Sequence, residues 1–152
     1  MNDWKNILIG VDATPTSNRG VEYVAHMVSG LPGVRICLLH VYPEPPPDYY
    51  SSGGTLDSYR REQENKAQQL MRECDSILSG AGLPVDSIRH EIRMAKQKTI
   101  SATILSCQQE GGFGTLVVGR RGVSKAEEFL FGSISNALIH HASQCAVWVV
   151  SQ

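Results

Sequence analysis

The sequence predicts an α/β protein, a single domain over residues 1–152 built on a doubly wound parallel sheet of five strands with helices on both faces. Three observations carry this. Five short apolar runs rich in β-branched residues recur along the chain, and continuous runs of that kind suit strands covered on both faces. Four segments with helical apolar spacing alternate with them, which implies right-handed strand–helix–strand crossovers. The length, 152 residues, matches one domain of roughly 100–150 residues.

The elements follow in order. Ile7-Leu8-Ile9-Gly10-Val11 reads as the first buried strand. Val21, Val24, Ala25 and Val28 repeat at helical spacing, and Gly30 and Pro32 stop that helix. Val34 to Val41 is the second strand. Ala67, Leu70, Met71, Cys74, Ile77, Leu78 and Ala81 form the stripe of a long helix that starts near Asp57 or Ser58. Gly80, Gly82 and Pro84 end it. In Ile88 to Met94, residues Ile88, His90, Ile92 and Met94 share one face, so this strand has a wetter side. Ile100, Ile104 and Cys107 mark a third helix, closed by Gly111-Gly112. Thr115 to Val118 is the fourth strand, Ile134, Leu138 and His141 mark the last helix, and Ala146 to Val150 is the fifth strand.

One stretch breaks the alternation. Pro43 to Gly54 is rich in proline, then glycine, which argues against both a helix and a central strand. It follows the carboxyl end of the second strand, the edge at which open α/β sheets bind ligands. It reads as a surface loop or as a lid; a short polyproline ligand for a partner is a third reading.

Composition excludes several classes. The net charge of -1 lacks the basic excess of a nucleic-acid binder. No apolar run approaches the ~18–20 residues of a membrane span. The opening Met1-Asn2-Asp3-Trp4-Lys5 has no basic region or long apolar run, so no signal peptide and a cytoplasmic location are expected. Cys37, Cys74, Cys107 and Cys145 are too far apart for a zinc or redox dithiol motif, so four reduced, mostly buried thiols are expected. His26, His40, His90, His140 and His141 have no metal spacing, and His140 and His141 suit the C-terminal end of a helix dipole. Trp4 and Trp148 are expected in packing or at an interface.

The chemistry concentrates after the fourth strand. Gly119-Arg120-Arg121-Gly122 ends that strand, and nine residues later Gly132-Ser133-Ile134-Ser135 opens the last helix. Glycines let backbone N–H groups approach an anion. A helix N-terminus adds unpaired donors and positive dipole charge. Ser133 can cap the helix or reach a phosphate oxygen, and Arg120 or Arg121 adds positive charge. The Gly-Lys-Ser/Thr ending of a Walker loop is missing, and the dinucleotide GxGxxG does not fit. Local chemistry alone leaves phosphate binding and a structural role for these glycines both open.

The spacing Gly-x2-Gly-x9-Gly-Ser, met by Gly119, Gly122, Gly132 and Ser133, resembles the signature of the ATP-binding branch of the universal stress proteins. The resemblance covers nearly the whole chain. Lys5 to Asp12 is similar to that family's opening strand and acidic residue. Ser17 falls where the family has the serine that begins its first helix, and His40-Val41 looks like its second strand end. Cys145 to Val150 is similar to its last strand. The resemblance implies an adenine nucleotide alpha hydrolase-like sheet of order 3-2-1-4-5. It implies adenine near the Val41 backbone, Asp12 on the ribose or metal side and Gly119 bordering the ribose. Gly122, Gly132, Ser133 and Ser135 would take the phosphates of ATP, ADP or AMP. Mg²⁺ would accompany a triphosphate, and a homodimer would form through Ala146 to Val150. An uncharged edge strand is in itself a liability unless something pairs with it. Gly112-Phe113-Gly114-Thr115 departs from the family's Ala-Asp before the fourth strand, Ala95 replaces a usual glycine, and Gly20 stands where alanine is usual.

Three functions compete on this reading. The first is a nucleotide-binding stress-response protein with little or no turnover, since no general base sits beside the glycines. The second is a slow ATPase or AMP-producing enzyme, although neither a His-x-Gly-His nor a Ser-Gly-Gly-x-Asp signature is present. The third is a nucleotide-independent dimeric interaction module.

Overall fold

A computed structural model describes residues 1–13, 15–119 and 133–151, without the side chains of 15–17. Five parallel strands form one sheet in the order β3-β2-β1-β4-β5. The strands are β1 (Asn6–Gly10), β2 (Arg35–Pro43), β3 (Ile88–Ala95), β4 (Thr115–Gly119) and β5 (Ala146–Val150). The helices are α1 (Pro15–Val28), α2 (Pro47–Ser51), α3 (Leu56–Gly80), α4 (Ile100–Gly111) and α5 (Ser133–His141).

Side-chain alternation divides the core into two layers. Ile7, Ile9, Val11, Ile36 and Leu38 pack with Val21, Val24 and Val28 of α1 and with Leu70, Met71, Cys74 and Leu78 of α3. Leu8, Cys37, Leu39, Val41, Leu116 and Val118 pack on the other face with Ile104 and Cys107 of α4 and Leu138 of α5. The helices change face between β1 and β4, the switch point of the sheet. Cys37, Cys74 and Cys107 are buried and Cys145 is half-buried.

Local sequence sets the element ends. Thr55 caps α3 by accepting from the Ser58 N–H, and the Ser58 hydroxyl oxygen accepts the Thr55 N–H in return. Thr99 caps α4 through the Ala102 N–H. Gly112 ends α4 in the left-handed conformation, φ 61, where a side chain would be strained. This explains one glycine in the departure before β4. A second reason lies at Gly114, where an added β-carbon would collide with the backbone carbonyl of Asp3.

Two expectations need correction. Pro43 to Gly54 does contain a helix, α2, which starts on Pro47. Proline costs nothing at the first helical position, because that N–H has no intrahelical partner. The segment is also held down. Tyr59 donates from its hydroxyl to the Pro43 carbonyl at 2.6 Å, Tyr49 and Ser58 hydroxyls bond at 2.8 Å, and the Tyr49 ring meets Tyr59 edge-on. The second correction concerns Ser17. Helix α1 begins two residues before it, at Pro15, again because proline suits the first turn.

The two sheet edges differ. Strand β3 carries Arg89, Glu91 and Arg93, and Arg93 bonds both Glu91 and Glu110. Strand β5 carries no charge over Ala146–Val150, and Trp148 meets Tyr23 of α1 edge-on.

Candidate functional site

The carboxyl ends of β1 and β4 lie side by side, with Gly10 opposite Val118. From there β1 leads into α1 on one face, and the residues after β4 lead to α5 on the other. A crevice at this point is where a doubly wound sheet takes ligands. Helix α1 starts at this edge. Helix α5 returns the chain to the start of β5, opposite Thr115, so its N-terminal end also points to the carboxyl edge. Two positive helix ends therefore flank the crevice, a setting that favours an anion.

The structure brings several sequence-predicted residues to this edge. Asp12 follows β1 and is half-buried. Val41 lies near the end of β2 and is buried against the α4 and α5 layer. Gly119 is the last residue of β4 and pairs with Val150 of β5. Ser133 is the exposed first residue of α5, and Ser135, two residues on, is buried. The three remaining site candidates, Arg120, Gly122 and Gly132, lie outside the described residues.

Close packing brings the backbone forward here. A β-carbon on Gly20 of α1 would lie 3.8 Å from the Gly119 nitrogen, an ordinary contact, so α1 rests directly on the end of β4. On Gly10 a β-carbon would lie 3.2 Å from Val118 Cγ1, closer than most such contacts. Gly10 therefore leaves little room for a side chain beside Val118, whereas Gly20 leaves room for one methyl group.

Sequence reasoning missed two features. A groove of about 350 Å³ opens beside Asp12, lined by Ala13, Asn18, Lys66, Gln69, Leu70 and Glu73. It lies on the side of the α1 and α3 layer, not on that of Val41 and Leu138. No motif in the Lys66 to Glu73 stretch of α3 announces this contribution. The second feature is His40, whose Nδ1 donates to the Val11 carbonyl at 2.8 Å. The sequence offered this histidine as part of a strand end similar to the family's and as one without metal spacing, and nothing in it pointed to the Val11 carbonyl.

Among the described residues, no group of three His, Cys, Asp or Glu side chains could hold a metal ion. Asp12 places a carboxylate at this edge. No described helix is long and apolar enough to cross a membrane.

Comparison with known proteins gives a consistent picture. A family model described as the universal stress protein family matches residues 3–151. A universal stress protein of Mycolicibacterium smegmatis is 28% identical over 142 residues, which cover 90% of this chain and 45% of that protein. The chain thus spans less than half the length of this curated relative. A universal stress protein from Lactobacillus plantarum superposes with a TM-score of 0.76 at 18% identity, over 99% of both chains. The universal stress protein from Archaeoglobus fulgidus in complex with dAMP superposes with a TM-score of 0.63 at 20% identity, over 95% of both chains. At these identities the two superpositions speak for the fold.

Proposed function

The chain belongs to the universal stress protein family, and we propose that it binds an adenine nucleotide, ATP foremost, at the carboxyl edge of β1 and β4. One observation carries this reading. The Gly-x2-Gly-x9-Gly-Ser spacing starts at Gly119, where β4 ends at the switch point of the sheet, and finishes at Ser133, which opens α5. Gly119 borders the ribose, and Gly122, Gly132, Ser133 and Ser135 with Arg120 take the phosphates. Adenine lies at Val41 and Asp12 faces the ribose or a phosphate-bound Mg²⁺. The dAMP complex of the A. fulgidus neighbour supports the choice of an adenine nucleotide.

The role is regulatory, in a cytoplasmic stress response, with little or no turnover. The described residues at the edge offer backbone donors and helix dipoles, and the one carboxylate assigned to the site, Asp12, serves the ribose or a phosphate-bound Mg²⁺ rather than proton transfer. A slow ATPase would reveal itself by ADP or AMP after long incubation.

The same proposal includes a homodimer through β5. The contrast between the sheet edges favours it. Strand β3 is protected by charge, whereas β5 is an uncharged strand whose outer edge pairs with no other strand among the described residues. A symmetric pairing would satisfy both copies.

The test is Gly132→Val. It puts a branched side chain where a phosphate would lie. A folded variant with at least tenfold weaker ATP binding supports the site; unchanged affinity places the nucleotide elsewhere.

A further inference from the structure

The ladder between β1 and β2 ends with an exchange of partners. Gly10 pairs with Leu39, and the Val11 N–H donates to the Leu39 carbonyl at 2.8 Å. In a regular parallel ladder the next rung runs from the Val41 N–H to the Val11 carbonyl. That rung is not formed among the described residues. The Val11 carbonyl accepts instead from His40 Nδ1, at 2.8 Å. A carbonyl only accepts, so this ring nitrogen carries the proton.

The exchange has a direction. The Leu39 carbonyl is turned toward β1, because it takes the Val11 N–H. Backbone groups two residues apart on a strand turn the same way, so the Val41 N–H also points to the β1 side. There β1 has ended and the chain has left as Asp12 and Ala13. Strand β3 does not compete for this donor, since alternate residues of β2 face it. His40 itself is half-buried on the α1 and α3 side, whereas the Val41 side chain is buried on the other face. The imidazole therefore occupies the Val11 carbonyl from one side of the sheet and leaves a backbone donor at the edge.

Resting on the nucleotide reading above, we propose that His40 is a positioning residue for the base. By giving the Val11 carbonyl its donor, it keeps the Val41 N–H free to meet an unprotonated ring nitrogen of an adenine-type base. Without it the rung closes, and the donor is consumed within the sheet.

The test uses the full chain, AMP and inorganic tripolyphosphate as probes, and two substitutions. His40→Phe keeps a ring and loses the donor. His40→Asn places an amide N–H near the position of Nδ1. AMP affinity is expected to fall about tenfold in His40→Phe, the loss of one hydrogen bond, and to return in His40→Asn. Tripolyphosphate affinity is expected to stay unchanged in both, which separates this effect from general loss of structure. Amide exchange by NMR gives a readout without nucleotide. The Val41 N–H is expected to exchange fast in the wild type and to be protected in His40→Phe. Equal AMP affinity in wild type and His40→Phe, no recovery in a folded His40→Asn, or a protected Val41 N–H in the wild type overturns the proposal. Failure of the wild type to bind AMP, ADP and ATP alike overturns the nucleotide reading itself, and this proposal with it; where ATP binds and AMP does not, the same comparison is read with ATP.

Discussion

A β-carbon built on Gly20 would stand 3.8 Å from the backbone nitrogen of Gly119, so the first helix rests on the residue where the fourth strand ends. The contact has room for one methyl group and little more. Gly20→Ala is therefore expected to stabilise the protein by ~0.5–1 kcal/mol, through helix propensity and a stiffer unfolded chain. The midpoint of thermal unfolding should rise by ~2–4 °C, with nucleotide affinity unchanged. A lower midpoint would show that the contact is tighter than the structure has it.

Gly114 gives the opposite sign. A β-carbon there collides with backbone, the Asp3 carbonyl, and backbone cannot swing aside as a side chain can. The segment is also tied by the Gly114 N–H to the Asn6 carbonyl and by the Ala146 N–H to the Gly114 carbonyl, both at 3.0 Å. Gly114→Ala is expected to cost ~1–3 kcal/mol, measured by urea unfolding. A neutral result would mean that the N-terminal segment moves away freely.

Much of the fold was legible because its signals are local. The five apolar runs and the glycine stops of α3 and α4 stand in the sequence and in the structure. Helix α2 was not legible. Proline was read as a breaker over the whole of Pro43 to Gly54, whereas Pro47 stands at the one helical position that tolerates it. What holds that segment is tertiary, a tyrosine cluster with Tyr59 reaching the Pro43 carbonyl, and no spacing rule reveals it. At the candidate site, the positions of Asp12, Val41 and Gly119 at or near strand ends were legible from the apolar runs. The groove lined by Lys66, Gln69 and Glu73 was not, because it arises only when α3 packs beside α1. His40 was invisible for a similar reason. Its partner is a backbone carbonyl on another strand.

The cap of α3 offers a simple check on local energetics. Thr55→Ala removes the acceptor for the Ser58 N–H and half of the reciprocal pair. A loss of ~1 kcal/mol is expected, seen as a lower denaturant midpoint with an unchanged slope. No change would mean that water replaces the cap at no cost.

A pH effect is expected at the β3 edge. Burial opposes the Glu91 charge, but hydrogen bonds from Arg93 and the Cys107 thiol, with the Arg93 and Arg89 charges, outweigh it and hold the carboxyl below its ordinary value. A depressed carboxylate stabilises the fold above its unfolded pKa, about 4.3. That contribution is lost as pH falls through the lower, folded value. Urea unfolding of wild type and Glu91→Gln between neutral and acid pH should show a smaller acid loss in the variant. Parallel curves would remove Glu91 from the account.

The thiols give a further test. Burial pushes Cys74 and Cys107 up to about 12, with nearby carboxylates adding to the effect. Burial also raises Cys37 and Cys145, and Cys145 is the one thiol that is not fully buried. At pH 8 a disulfide reagent should modify at most Cys145 in the folded protein, and all four thiols in denaturant. Fast native labelling of Cys74 or Cys107 would contradict the packing around α3 or α4.

The central claim is nucleotide binding at the β1–β4 edge, and calorimetric titration of the purified full chain with ATP and Mg²⁺ tests it most directly. The account expects saturable binding at one site per chain, with a Kd tighter than about 1 mM, which corresponds to roughly −4 kcal/mol. No saturable binding of ATP, ADP or AMP by the folded protein in that range would contradict it.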